Sequence, residues 1–210
     1  MSIKALSEIN NNYHVALAIH RELADVFWFL YLPGFALMHE YQLISENLIQ
    51  RKLKRYISST YHVFEPDRLP KSANITEPLL LGKNRKNLKV EETWRITREV
   101  FRIYIDWEEA TLKKYEQIAV DIFNNGDISV FNFISEIIKE VKQELVFITD
   151  LSIGLSAMDW DMPTIVDQQD TIFERYEYLI KNLLGKSQEY HHWNSNIDPE
   201  SRIKVLDKNV

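Results

Sequence analysis

Trp94 to Leu151 reads WRITREVFRIYIDWEEATLKKYEQIAVDIFNNGDISVFNFISEIIKEVKQELVFITDL, and its pattern decides the fold. Trp94, Thr97, Phe101, Tyr104, Glu108, Thr111, Tyr115, Ile118 and Ile122 recur every three or four residues, the spacing of one buried helix face. Asn125-Gly126 interrupts the pattern as a helix stop, and Asp127 is placed to cap the next helix. Val130, Ile134, Ile137, Val141, Glu144, Ile148 and Leu151 then form a second stripe. Each stripe holds one carboxylate, Glu108 and Glu144. Two inward carboxylates on paired helices are what a dimetal site in a four-helix bundle would need.

On this spacing the third helix spans Val90–Phe123 and the fourth Ile128–Leu155. Upstream, Ile9, Tyr13, Ala16, His20, Leu23, Phe27 and Leu30 mark a first helix over Asn10–Leu32, broken by Pro33-Gly34. A second helix extends over Phe35–Tyr61, with Phe35, Met38, Tyr41, Ile44, Leu48 and Tyr56 as its apolar side. So short a break makes these two helices antiparallel neighbours. His62 to Lys89 carries Pro66, Pro70, Pro78 and Gly82 and has weak periodicity. A connection of this length is unusual in a compact domain. Here it serves as a crossover from one end of the bundle to the other, anchored by Leu79-Leu80-Leu81. A fifth helix is expected over Thr164–Leu184, with Gly185 as its C-cap. The expected organisation is a helical bundle over residues 1–185 and a polar tail over 186–210.

Composition agrees with an all-α protein. Of 210 residues only 5 are Gly and 6 Pro, and 45% are apolar. There is no Cys, which excludes disulfides, thiolate metal sites and cysteine nucleophiles. No apolar run reaches membrane-span length and the first residues do not read as a secretory signal, so a cytoplasmic location is expected and no membrane partner. The net charge of −6 disfavours a nucleic-acid coat. The clusters Arg51-Lys52-Leu53-Lys54-Arg55 and Lys83-Asn84-Arg85-Lys86 read as solvated faces. No phosphate-binding glycine loop or nucleophile elbow is present. Asn74-Ile75-Thr76 fits the glycosylation pattern by chance.

Two helices, a long crossover, two further helices and a fifth make the ferritin-like arrangement. Trp28, Pro33-Gly34, Phe35 and Met38-His39-Glu40 resemble the junction of the first two helices in the starvation-induced mini-ferritins, the Dps family. Asn125-Gly126-Asp127 and Phe131 are similar to that family's junction of its last two long helices. The resemblance covers about Ala16 to Leu155. It implies an oligomer of identical subunits with an iron site between them. The family's His before the Trp is Phe27 here, its His in the second motif is matched by His39, and its next acidic ligand is Leu43. Its further acidic positions fall near Lys54 and Ser58. Most ligands of the intersubunit site are thus replaced, and the lysine-rich DNA-binding arm is missing.

The intrabundle site of larger ferritins offers another arrangement. Glu108 fits its third-helix position and Glu144 the second position on the fourth helix, with Val141 at the first. His20 faces inward on the first helix, whereas His39 and Glu46 are expected near the edge of the second. His20, His39, Glu108 and Glu144 form the candidate set for one ion, iron or manganese, through nitrogen and oxygen donors. The same groups also read as a hydrogen-bonded polar network with a buried Tyr or His. Glu136, Glu140 and Glu144, at i, i+4 and i+8, also face partly outward and read, like Asp106, Glu109 and Glu116, as a solvated face, and His191-His192 as a tail pair. Trp28, Phe29, Tyr31, Trp94, Trp107 and Trp160 read as core or subunit contacts.

Three functions are compatible with these residues. The first is a ferritin-like oligomer with a degenerate or altered metal site, acting as a structural or interaction protein. The second is an iron-binding or iron-oxidising protein that uses the intrabundle site. The third is a helical module that binds a protein partner through its aromatics and fifth helix.

Overall fold

The computed structural model describes residues 2–63 and 75–193. Four long helices, α1 (Ser2–Phe29), α2 (Pro33–Tyr61), α4 (Val90–Asn124) and α5 (Ile128–Ala157), form the bundle. The one-turn α3 (Glu77–Leu80) and a 3-10 turn at Arg85–Asn87 lie in the crossover, and α6 (Met162–Trp193) is the last helix among the described residues. Helix α1 starts eight residues before the expected Asn10, because Leu6 extends the buried stripe through Ile9 and Tyr13. Helix α6 passes through the expected cap Gly185 to Trp193, and residues 194–210 of the expected tail lie outside the described residues. No helix among the described residues is long and apolar enough to cross a membrane.

Among the described residues the interior is built of two apolar clusters. One packs the end of α1 (Ile19, Leu23, Phe27) with the start of α2 (Phe35, Met38), the start of α4 (Val100, Phe101), the end of α5 (Ile148, Leu155) and α6 (Ile165, Ile172). The other packs the start of α1 (Leu6, Ile9) with the end of α2 (Leu53, Ile57), the end of α4 (Tyr115, Ile122) and the start of α5 (Val130, Ile134). Helices α1 and α5 therefore run one way and α2 and α4 the other. That direction for α2 and α4 is what the crossover allows, since it returns the chain along the bundle. Ile75, Leu79, Leu80 and Leu88 pin the crossover to the first cluster, and Glu22 of α1 accepts from the Ile75 amide at 3.1 Å and the Thr76 hydroxyl at 3.4 Å. Leu81 was expected in this anchor but is 75% exposed, because α3 ends at Leu80. Pro66, Pro70 and Asn74 lie outside the described residues.

Three helix ends use the same closure. The amides of Leu32, Asp127 and Trp160 each donate five residues back, to Phe27, Ile122 and Leu155, around a left-handed residue. In the central hairpin that residue is Gly126 (φ 77°), and Asp127 then caps α5 by accepting from the Val130 amide at 3.2 Å. At the other two ends the left-handed residues are Tyr31 and Asp159, with Trp160 left-handed as well. Burial of Leu32 and Trp160 beyond these turns offsets the backbone cost.

Helix α6 crosses the first turn of α2. The Gly34 amide donates to Gln169 Oε1 at 3.1 Å, and a Cβ on Gly34 would overlap the Gln169 carbonyl oxygen. Glycine stands there for close approach of two backbones. Gly34→Ala is expected to push α6 away and destabilise the chain by about 1–3 kcal/mol in chemical denaturation. Gly154→Ala, in α5 with nothing near its Cβ, should instead stabilise by up to about 1 kcal/mol. Equal responses at the two glycines would contradict this packing.

Candidate metal centre

Between the two apolar clusters the stripes turn polar at the same level on four helices. Helix α1 contributes His20, α2 Glu46, α4 Glu108 and α5 Glu144. His20 is fully buried, and Glu46 and Glu108 nearly so. Donor atoms of His20, Glu46 and Glu108 lie within 4.8 Å of one another. His20 Nε2 is 3.5 Å from Glu46 Oε2 and 3.9 Å from Glu144 Oε1. Both separations exceed a hydrogen bond of normal geometry. Consistent with that, His20 Nε2, Glu46 Oε2, Glu108 Oε1 and Glu144 Oε1 are all buried without a hydrogen-bond partner.

Three of these atoms, from His20, Glu46 and Glu108, come together, and Glu144 Oε1 approaches them through His20; buried polar atoms are ordinarily satisfied, and these have no hydrogen-bond partner among the described residues. One imidazole nitrogen and three carboxylate oxygens form a donor set that suits a divalent cation such as Mn²⁺, Fe²⁺, Co²⁺ or Zn²⁺.

The electrostatics fit the same reading. Burial, with Glu46 adding to it and His20 partly opposing, pushes the Glu108 carboxyl up to about 8. Burial likewise raises Glu144 to about 8, opposed by His20 and reinforced by Glu46. Glu46 is raised well above the carboxylate range by burial. His20 is held below its ordinary value by burial, against the pull of Glu144 and Glu108. Without a cation the cluster is thus a set of protonated acids around a neutral imidazole. A cation reverses the balance, because ligation requires the deprotonated carboxylates.

His39 stands behind His20. Their Nδ1 atoms are 3.1 Å apart, and His39 stacks flat on Phe27 with ring centres 5.5 Å apart. Tyr104 meets both imidazoles edge-on. Burial and the neighbouring His20 push His39 well below its ordinary pKa, so it is neutral. A lone pair on His20 Nε2 requires the proton on its Nδ1, donated to His39 Nδ1. Outer partners of this kind fix the tautomer and orientation of a ligating histidine.

The structure therefore brings together Glu108, Glu144 and His20 of the expected set and adds Glu46, while His39 touches the cluster only through His20. Glu46 and His39 were expected near the edge of the second helix, and both are buried. The difference in register has a physical cause. Helix α2 is covered on two sides, and Tyr41, on the expected core stripe, faces Tyr176 of α6 at 5.3 Å. The bundle-facing line is Phe35, His39, Glu46, Leu53 and Ile57. The seven-residue spacing of His39, Glu46 and Leu53 was the available signal. Trp28, in the motif that resembles the mini-ferritins, lies on the outer surface with its indole N–H donating to Glu40 at 2.7 Å. His191 and His192 fall at the end of α6.

Solved structures with the same architecture include ferritins. The open-pore ferritin of the hyperthermophilic archaeon Archaeoglobus fulgidus is 14% identical, with a TM-score of 0.66 over 82% of this chain and 95% of its own. A closed form of that ferritin engineered by site-directed mutagenesis is 15% identical, with a TM-score of 0.65 over 82% and 94%. A humanized archaeal ferritin is 16% identical, with a TM-score of 0.64 over the same shares. No protein-family model and no curated protein matches the sequence. The fold is the ferritin-like four-helix bundle with a long crossover and a C-terminal helix.

Proposed function

We propose that this chain is a ferritin-like protein with an altered intrabundle site that holds one divalent cation, iron or manganese, through His20, Glu46, Glu108 and Glu144. The observation that carries the reading is the convergence of donor atoms from His20, Glu46 and Glu108, with Glu144 Oε1 beside His20, one from each bundle helix and none with a hydrogen-bond partner. Carboxylate dimetal bundles draw on six residues, a Glu from two helices and a Glu-x-x-His from each of the others. Here the position three residues after Glu46 is Ile49, and the position three before Glu144 is Val141. Both are apolar, which supports one ion rather than two. A site within a single bundle also favours this arrangement over the intersubunit site of the mini-ferritins. His39 positions His20 and does not touch the ion. Exposed Val120, Phe123, Ile128, Val146 and Ile153 on the outer side of α4 and α5 support assembly of several copies of the chain.

Titration of the metal-free chain with Co²⁺ tests the reading. One equivalent per chain is expected, with d–d absorption of a nitrogen–oxygen site and release of more than one proton at pH 7. Co²⁺ binding that is weak, multiple or without proton release would contradict it.

A further inference from the structure

The site is sealed above and below by the two apolar clusters, so a cation needs a way in from the side. A cavity of about 180 Å³ opens between α2 and α5 and reaches Glu46 and Glu144 at its inner end. Gln42 and Ser45 line it from α2, and Glu140 from α5. Helix α6 roofs it. Tyr176 is buried between Tyr41 of α2 and Phe147 of α5, with ring centres 5.3 Å and 6.1 Å away. Next to it, the Arg175 guanidinium lies over the Phe147 ring at 4.8 Å. Arg175 thus bridges from α6 to α5 at the cavity rim. Glu140 and Arg175 are both exposed, and among the described residues neither forms an ion pair. Among the described residues the rim therefore carries one charge of each sign, Glu140 and Arg175.

We infer that this α2–α5 cleft is the passage by which a divalent cation reaches the buried carboxylates, and that α6 controls it. Glu140 draws the cation to the mouth, and Arg175 slows it. The inference rests on the reading of His20 and the three glutamates as a cation site. Opposed charges at a narrow, low-dielectric mouth act on association rate more than on the occupancy reached at saturating cation. The passage also assigns a purpose to α6, which adds nothing to the donor set yet covers its access.

Stopped-flow loading of the metal-free full-length chain with Co²⁺ at low ionic strength tests the passage. Glu140→Gln should slow loading about threefold and Arg175→Ala should speed it about threefold. Both effects should vanish near 0.5 M salt, where screening acts over about 4–5 Å. Ser45→Trp, which fills the cavity, should slow loading at least about tenfold at every salt concentration, the scale of hindered access. Bound Co²⁺ at the end point should equal that of the unsubstituted chain in all three. Unchanged rates in Glu140→Gln and Arg175→Ala with a normal end point would overturn the passage, even if Ser45→Trp fails to fold. No bound Co²⁺ in the unsubstituted chain would overturn the reading of the site, and the passage with it.

Discussion

Glu108→Gln is expected to lose metal binding and, in the same chain, to gain stability without metal. The substitution keeps the shape of the side chain and removes one of three anionic donors. Loss of an outer partner already costs ten- to a hundredfold in metal affinity, so loss of a direct anionic ligand should cost at least about a hundredfold. The gain has the opposite origin. Burial and the neighbouring Glu46 hold Glu108 at about 8, so ionising it in the folded chain works against folding. A shift from the ordinary value to about 8 sets a ceiling of about 5 kcal/mol at high pH. The glutamine amide is still buried without full hydrogen bonding, which returns part of that. A net gain of about 2 kcal/mol, or roughly 4–8 °C in Tm at pH 8 for a chain of this size, is the expected result. Thermal melts of both chains with and without Co²⁺ check it. A hydrogen-bonded structural network would give the other pattern, because removing one member destabilises the metal-free chain.

The second large effect is in pH. A carboxyl whose pKa is raised on folding contributes stability that is present below its unfolded value and is lost as pH rises through its folded value. For Glu108 and Glu144 that loss falls between about 4.5 and about 8. His20 and His39 are depressed on folding, so they destabilise the fold only as pH drops below about 6.5. Between pH 6.5 and 8.5 the carboxylates act alone. Glu108 and Glu144 together should cost the metal-free chain about 4 kcal/mol, or about 8–16 °C in Tm, across that window, and Glu46, raised as well, adds to the loss. Saturating metal should reverse the slope, since the ion binds only the deprotonated site and stabilises the folded chain by mass action. The metal-induced rise in Tm should therefore be several times larger at pH 8.5 than at pH 6.5. A metal-free Tm that stays flat across the window would mean these carboxyls ionise freely in the folded chain.

Much of this was legible in the sequence, for reasons that differ by element. The α4–α5 hairpin could be read almost residue by residue, because each helix buries a single face and Gly126 and Asp127 perform the stop and the cap that their chemistry suits. Glu108 and Glu144 were visible as carboxylates on apolar stripes. Helix α2 was not legible in the same way. It is covered by the bundle on one side and by α6 on another, so its apolar residues mark two faces, and the polar Glu46 and Gln50 face inward. Periodicity of hydrophobic residues then points to the wrong face where a site replaces hydrophobic packing with charge. Gly185 misled for a simpler reason. A glycine inside a helix costs only about 1 kcal/mol, and α6 runs through it.

The measurement that bears most directly on the cation site is anomalous scattering from a crystal of the chain grown with Co²⁺ or Mn²⁺. A single strong peak per chain is expected, within about 2.0–2.3 Å of His20 Nε2 and of carboxylate oxygens from Glu46, Glu108 and Glu144. His39 should lie outside that distance, with its Nδ1 still on His20. No peak at this level of the bundle, with the glutamates hydrogen-bonded to one another or to water, would contradict the account.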